Sequence, residues 1–486
     1  MSRVVIDQLR RALPTFTELD WLVVSDEYPP RVVGGSEISL HELIKGLGKE
    51  AANGLIIKIM AEQSYVSFYR YSGVLVLRLP RQATWRAPGM TVAEYEKALK
   101  IFRPRFLLDA WQVILLLLSY GMRRWRFDLI RFWVKGMPKG GLLSDALPEQ
   151  FALTAELLKE IVVVLKPRVL IANNTRSIVS VYHSKNEYKL AWSDIKTIAM
   201  VRDNRFFCAR QNQIMRVGGR DCIKCSFQCA NEDAKQNPIA QTRLLKQTKD
   251  FRSQALRSMD SVVVTSQFLR AQIAKILDNG KQPYVVPNFA GDPDSVFQLI
   301  DDVAQPPGKS VAVIGSINEA KGQYEFLQNS MQELQLDPEI KIHFFGRGPR
   351  LEKVLRRFAK ENNLEQQIEF YGHLDRGQLY AAIRECKVVA LPTLWPEPFG
   401  RVPLEAALCG RPVVAFSSGG LRELIRDGET GFLVNKEDYS SFWRRIHELM
   451  HDGELRNRLA IAAKSDFLNR YSKSFCVKRF SDLLAS

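Results

Sequence analysis

The chain has 486 residues, too many for one ordinary hydrophobic core, so two domains are expected. Its 46% apolar and 25% charged residues exclude a disordered or fibrous protein, and no repeat at a fixed period suggests a solenoid. Lys and Arg outnumber Asp and Glu by 69 to 53, a net charge of +16 that suits nucleic acid, anionic lipid, phosphorylated substrates or no polyanion at all.

The first twenty residues hold Asp7 and several arginines without a continuous apolar core, so no signal peptide is expected. Residues 21–26 (WLVVSD) form an apolar run, followed by Gly34-Gly35 and then Ile38, Leu40, Leu43, Ile44 and Leu47 at helical spacing. Strand, glycine loop and helix in that order open a Rossmann-like unit. Short apolar runs recur at Gly54–Met60, Gly73–Leu79, Val169–Ala172, Thr197–Val201 and Ser261–Thr265, which predicts a parallel sheet covered by helices.

Within this first half, the most apolar stretch, 106–122, contains Asp109 and Gln112 and falls short of the ~20 residues of a membrane span. The expected location is therefore cytoplasmic, with a peripheral place on the inner membrane face. Residues 101–139 interleave eight Lys and Arg with Trp111, Trp125 and Trp133. That pattern suits an anionic membrane surface, the favoured reading, but equally a helix pair with a solvated basic face. RNA binding is a third reading; no nucleic-acid motif is present, so no nucleic-acid partner is expected. Cys208, Cys222, Cys225 and Cys229, spaced C-x13-C-x2-C-x3-C, could hold a structural zinc, less readily an iron–sulfur cluster. Four ordinary reduced thiols fit the same spacing.

The proline-rich segment 283–294 reads as an inter-domain linker, placing the boundary near residue 300. A second alternation follows: strands Ser310–Gly315, Ile340–Phe345, Ile368–Tyr371, Val388–Pro392 and Val413–Phe416, with helices between, the last strand closing the run. The final helix, 466–486, has no place assigned by periodicity. In 391–415 (LPTLWPEPFGRVPLEAALCGRPVVA), Glu397 lies in a loop after an apolar strand, and Pro403 suits a helix's first turn, which would contain Glu405. A helix N-terminus suits phosphate, and two carboxylates can accept hydrogen bonds from vicinal hydroxyls, as a nucleotide-sugar requires. On spacing alone, a βα loop with incidental acids fits equally well.

EPFGRVPLEAALCGRPVVA closely resembles the E-x7-E signature of retaining, family-four GT-B glycosyltransferases. PPRVVGGSE (29–37) is similar to the family's N-terminal glycine loop, VVPNFAG to its linker, IGSINEAKG (314–322) to its donor-phosphate loop, FFGRGP (344–349) to the following turn, and 417–434 to its closing segment.

The resemblance implies an α/β, GT-B fold: two Rossmann-like domains facing each other across a cleft. Residues 1–295, rejoined by helix 466–486, would take the acceptor, and 296–465 the donor. It implies Glu397, Lys321 and Glu405 as catalytic residues: sugar hydroxyls on Glu397, ribose on Glu405, diphosphate on Lys321. Gly34, Gly35, Ser316, Arg347, Pro398, Phe399, Gly400 and Arg401 would line the donor site, with Arg202 and Asp203 on the acceptor side. The partners implied are a nucleoside-diphosphate sugar and a glycan or lipid-linked acceptor, with no cofactor required for catalysis. Related cysteine groups in this region of some relatives suggest a loop-stapling role for any zinc.

Two departures stand out. Ser316 follows Gly315 where the family usually has Arg, and Arg202-Asp203 occupies the place of a His-Asp pair. Arg347 or Arg401 could supply the missing cation. A phosphorylase or epimerase on this fold, or a non-catalytic GT-B partner subunit, stay open as alternatives.

Overall fold

The computed structural model describes residues 19–29, 35–47, 54–61, 67–80, 152–208, 216–217, 220–222, 238–277, 280–290, 306 and 308–485. Two sheets organise these residues, one of eight strands and one of six. The first runs β10-β9-β6-β5-β1-β2-β4-β3, all neighbours parallel except the β3–β4 hairpin. Its strands are β1 (Trp21–Ser25), β2 (Gly54–Ala61), β3 (Ser67–Tyr71), β4 (Val74–Pro80), β5 (Val169–Asn173), β6 (Lys196–Val201), β9 (Ser261–Val264) and β10 (Tyr284–Val285). Between β6 and β9, β7 (Arg216–Val217) and β8 (Arg220–Asp221) form a separate small hairpin.

A parallel sheet buried on both faces needs apolar residues at every position, and the packing divides them by pleat. Leu22, Val24, Leu55, Ile57, Leu170 and Ala172 enter one core; Trp21, Val23, Ile56 and Ile171 enter the core on the opposite face. The described helices of this half are α1 (Gly35–Gly46), α2 (Ala152–Leu165), α3 (Thr175–Glu187), α4 (Pro238–Arg257) and α5 (Gln267–Ala274).

The second sheet is fully parallel, ordered β13-β12-β11-β14-β15-β16. It comprises β11 (Lys309–Ile314), β12 (Ile340–Phe345), β13 (Ile368–Gly372), β14 (Val388–Leu391), β15 (Val413–Phe416) and β16 (Phe432–Val434). Alternation again feeds two cores: Val311, Val313, Ile342 and Phe344 on one side, Ala312, Ile314, Val389 and Ala415 on the other. Its helices are α6 (Gln323–Asn329), α7 (Met331–Leu336), α8 (Pro349–Glu361), α9 (Arg376–Arg384), α10 (Val402–Leu408), α11 (Leu421–Leu424), α12 (Tyr439–His451) and α13 (Gly453–Tyr471).

Three details depart from expectation. The chain adds β3, joined to β4 by Ser72-Gly73, both at positive φ, the geometry that a two-residue hairpin turn demands. The second sheet closes on β16, not β15, because Phe432–Val434 pairs along Val414–Phe416. The segment expected to be a linker begins as strand β10, and its continuation is buried: Phe289 packs in a first-domain core and Ala290 in a second-domain core.

At Ser472 the backbone turns extended between α13 and α14 (Lys473–Ala485), returning the chain to the first domain. There Cys476, Phe480 and Leu483 pack with Leu40, Leu43 and Ile44 of α1, and Lys473 lies 3.3 Å from Glu42. A Cβ on Gly46 would stand 2.3 Å from Val477, so α1 and α14 touch closely. Phe480 is fully buried. Phe480→Ala should cost about 3–5 kcal/mol of stability, read by denaturant unfolding, if α14 is integral to that core.

Candidate functional site

In the second sheet the strand order reverses direction between β11 and β14, which opens a crevice at the carboxyl ends of the strands. Four loops converge there, at separations that only glycine permits. A Cβ on Gly346 would lie 1.9 Å from the Gly315 carbonyl oxygen, and one on Gly348 1.8 Å from that of Ile317. Gly322, at φ +66, would meet the Pro392 oxygen at 2.1 Å. Gly419, at φ +53, would meet Glu397 O at 2.3 Å and Glu397 N at 2.6 Å.

Hydrogen bonds complete the assembly. Leu394 N and Trp395 N donate to Ala320 O at 3.0 and 3.1 Å, Gly420 N to Glu397 O at 2.7 Å, and Ser418 Oγ to Trp395 O at 2.9 Å.

This scaffold brings Lys321 and Glu397 together, 76 residues apart in sequence, with Nζ 2.7 Å from Oε2. Trp395 Nε1 donates to the same oxygen, and the Lys321 ammonium lies 5.1 Å from the Trp395 ring centroid. Glu405 occupies the first turn of α10, its carboxylate 3.2 Å from Arg401. Pro398 and Phe399 are buried beneath the loop, while Gly400, at φ +87, would push a Cβ to 3.1 Å from Glu397 Cγ. Ser316 and Arg347 are exposed on adjoining loops, and Ile317 N donates to Arg347 O at 2.9 Å. Because α10 spans only seven residues, the lysine and arginine side chains must carry most of any attraction for an anion. Near Glu405, burial pushes the Tyr380 hydroxyl above its ordinary pKa and the Glu405 charge pushes it further.

The first domain presents the carboxyl ends of its own strands to this crevice. Arg202, just after β6, donates from Nε to Asn173 Oδ1 at 2.9 Å and from Nη1 to Asn288 Oδ1 at 2.6 Å. Enclosure pulls its pKa down to about 10; Glu37 opposes the shift and Arg401, from the other domain, adds to it. Glu37 is buried in the first turn of α1, and Asn174 Nδ2 donates to it at 3.4 Å. Asp203 turns back on its own loop, accepting from Arg205 N at 3.0 Å. Gly35 begins α1; Gly34 lies outside the described residues.

Sequence reading did not single out Trp395, Glu37, Asn173 or Glu423. Trp395, Glu37 and Glu423 lie within the motif segments named above, whereas Asn173 lies outside them and acquires its partners only through folding.

Cys208 is buried and Cys222 packs against it and Phe207. Cys225 and Cys229 lie outside the described residues, as does 101–139. Among the described residues, no three His, Cys, Asp or Glu side chains converge as metal ligands. No described helix is long and apolar enough to cross a membrane.

Residues 301–466 match the family model for glycosyl transferases group 1. The second domain is therefore a glycosyl transferases group 1 domain. The chain is 32% identical over 168 residues to a phosphatidyl-myo-inositol mannosyltransferase of Mycobacterium leprae, an alignment covering 34% of this chain and 44% of that protein. It thus spans less than half the length of that curated relative. Anabaena HepE, solved with UDP and glucose, superposes with a TM-score of 0.60 at 17% identity, covering 96% of this chain and all of the other. Sucrose-phosphate synthase from Thermosynechococcus elongatus gives 0.63 at 16% identity, covering 96% and 98%. The described residues have the GT-B fold.

The crowding around Gly419 gives a stability test. Gly419→Ala combines positive-φ strain with a backbone clash and should cost about 1–3 kcal/mol more than Gly428→Ala, which has a similar φ and nothing within 4 Å. Chemical denaturation of both variants makes the comparison.

Proposed function

We propose that the chain is a retaining glycosyltransferase, a hexosyltransferase that moves a sugar from a nucleoside-diphosphate sugar to a glycan or lipid-linked acceptor. Synthesis of a cell-surface polysaccharide or glycolipid is the proposed setting, with a peripheral position on the cytoplasmic membrane face. The observation that carries the reading is the Lys321–Glu397 pair at the second sheet's switch point, with Glu397 in the loop that leads into the Arg401–Glu405 pair. Across the cleft, Arg401 is near enough to Arg202 for its charge to act on that guanidinium, as Glu37's does. A relative named as a mannosyltransferase, and a structural neighbour of the same fold solved with UDP and glucose, support a nucleotide-sugar donor.

In this reading the donor diphosphate draws Lys321 away from Glu397. The freed carboxylate then accepts hydrogen bonds from sugar hydroxyls, while Glu405 holds the ribose. Charge that develops on the departing phosphate is met by Lys321, with Arg401 and Arg347 in place of the arginine that Ser316 replaces. The acceptor oxygen bonds to the anomeric carbon on the face that the phosphate leaves, and its proton passes to the phosphate. Asp203, occupied by Arg205, is not needed as a base.

Lys321→Ala should reduce kcat/KM at least about 100-fold, and Glu397→Gln and Glu405→Gln about 10-fold or more, with thermal unfolding nearly unchanged. Hydrolysis or transfer with purified nucleotide-sugars provides the measurement, and full activity in Lys321→Ala would remove the phosphate role. The exposed Ser316 favours a second reading, a non-catalytic partner subunit of a membrane-associated glycan-synthesis complex. Under that reading the wild-type chain turns over none of these donors.

We also propose a structural zinc held by Cys208, Cys222, Cys225 and Cys229. Its support is the contact between Cys208 and Cys222 and the position of Cys208, whose N–H donates to Asn204 O at 2.7 Å. Elemental analysis should find about one zinc per chain, lost in the Cys222→Ser/Cys225→Ser variant. A metal-free, fully active protein would show four ordinary thiols.

A further inference from the structure

The loop carrying Glu397 is held not only by its own domain. Asn204 Nδ2, from the first-domain loop after β6, donates to Pro396 O at 2.7 Å. Ser266 Oγ, from the loop after β9, donates to Pro398 O at 2.5 Å. Those carbonyls belong to the residues on either side of Glu397, while Glu397 O is taken by Gly420 N. Three consecutive carbonyls are therefore fixed, two by one domain and one by the other.

Ser266 has a second task. It is the N-cap of α5, and its hydroxyl oxygen accepts from Leu269 N at 3.0 Å. A hydroxyl donates one hydrogen bond while accepting others, so a single side chain can cap α5 and grip Pro398. Next to it the second domain reaches back: Glu423 accepts from Gln267 N at 2.8 Å and Phe268 N at 2.6 Å, filling the remaining donors of α5's first turn. Glu423 is itself anchored, because its carbonyl accepts from Arg470 Nη2 at 3.0 Å and Tyr471 Oη at 3.1 Å, where the chain crosses back toward α14.

We propose that Asn204 and Ser266 are positioning residues for Glu397, so that docking of the first domain sets the sugar-binding carboxylate, and that Glu423 is the latch that makes docking specific. The proposal rests on the donor-site role given above for Glu397. Opening the cleft breaks the bonds to Pro396 O and Pro398 O together and leaves Glu397 held from one side. Closure then couples occupancy of the first domain to competence of the second, which limits wasteful donor hydrolysis when the domains are apart.

The test uses the full-length chain with Asn204→Ala, Ser266→Ala, Ser266→Thr, Ser266→Asp and Glu423→Gln. Thr keeps both donor and acceptor. Asp keeps the cap of α5 but, ionised, has no proton for Pro398 O, which separates gripping from capping. Asn204→Ala and Ser266→Asp should lower kcat at least about 10-fold while donor KM changes less than about 3-fold, and Ser266→Thr should restore kcat. Unchanged kcat in both Asn204→Ala and Ser266→Asp, or a loss in Ser266→Asp that Ser266→Thr shares, overturns the idea.

Hydrogen exchange of the unliganded chain gives a readout independent of turnover. The amide of Glu397 and those of Phe399 to Arg401 should exchange faster in Asn204→Ala, Ser266→Asp and Glu423→Gln than in wild type, with the second-domain core unaffected. Equal protection in all variants refutes the grip even if the chain proves inactive toward every nucleotide-sugar. Faster exchange in an inactive chain keeps the grip and removes only the assigned chemistry.

Discussion

The absence of a Cβ at a few glycines sets how closely the loops of the second domain can approach, and the site is built on that spacing. Gly346 and Gly348 let one turn lie against the backbone of Gly315 and Ile317; Gly322 lies against Pro392, and Gly419 and Gly420 against residues 396 to 399. The resulting backbone stack leaves little freedom at the crevice. Lys321 and Glu397 meet because Ala320 O is the acceptor for the amides of both Leu394 and Trp395, which ties the lysine's loop to the glutamate's.

The charges in the crevice are paired within the second domain and opposed across the cleft. Lys321 with Glu397 and Arg401 with Glu405 are partly accessible pairs, open to competition from an anionic ligand. Arg202 is treated differently: its Nε and Nη1 donate to asparagine side chains, one in β5 and one in the crossing segment, and its Nη2 lies 4.0 Å from Met200 Sδ. Its guanidinium therefore links the first domain's sheet to the segment after β10 that leads into the second. A histidine there would be too short to make both bonds, so the departure at Arg202 has a structural use.

Much of the fold was legible because parallel strands buried on both faces must be apolar throughout. Trp21 to Val24, Val311 to Ile314 and Val388 to Leu391 announce themselves without alternation, and the helices between them fix the class. β3 was missed because Ser67–Tyr71 lies at the sheet's outer edge and mixes polar with aromatic residues. β16 was missed because three residues are too few for a pattern to register.

By itself the sequence determined the two α/β halves, the E-x7-E spacing, and the lysine at the end of a glycine-bearing turn. Those are local properties, set by backbone conformation and burial within a few residues of each position. Only the tertiary structure decided that Lys321 binds Glu397, that Asn204 and Ser266 grip the flanks of Glu397, and that Glu423 caps a helix of the opposite domain. These contacts join residues 76 to 192 positions apart, and hydrogen bonds of that reach depend on how two sheets are docked, which no local pattern encodes.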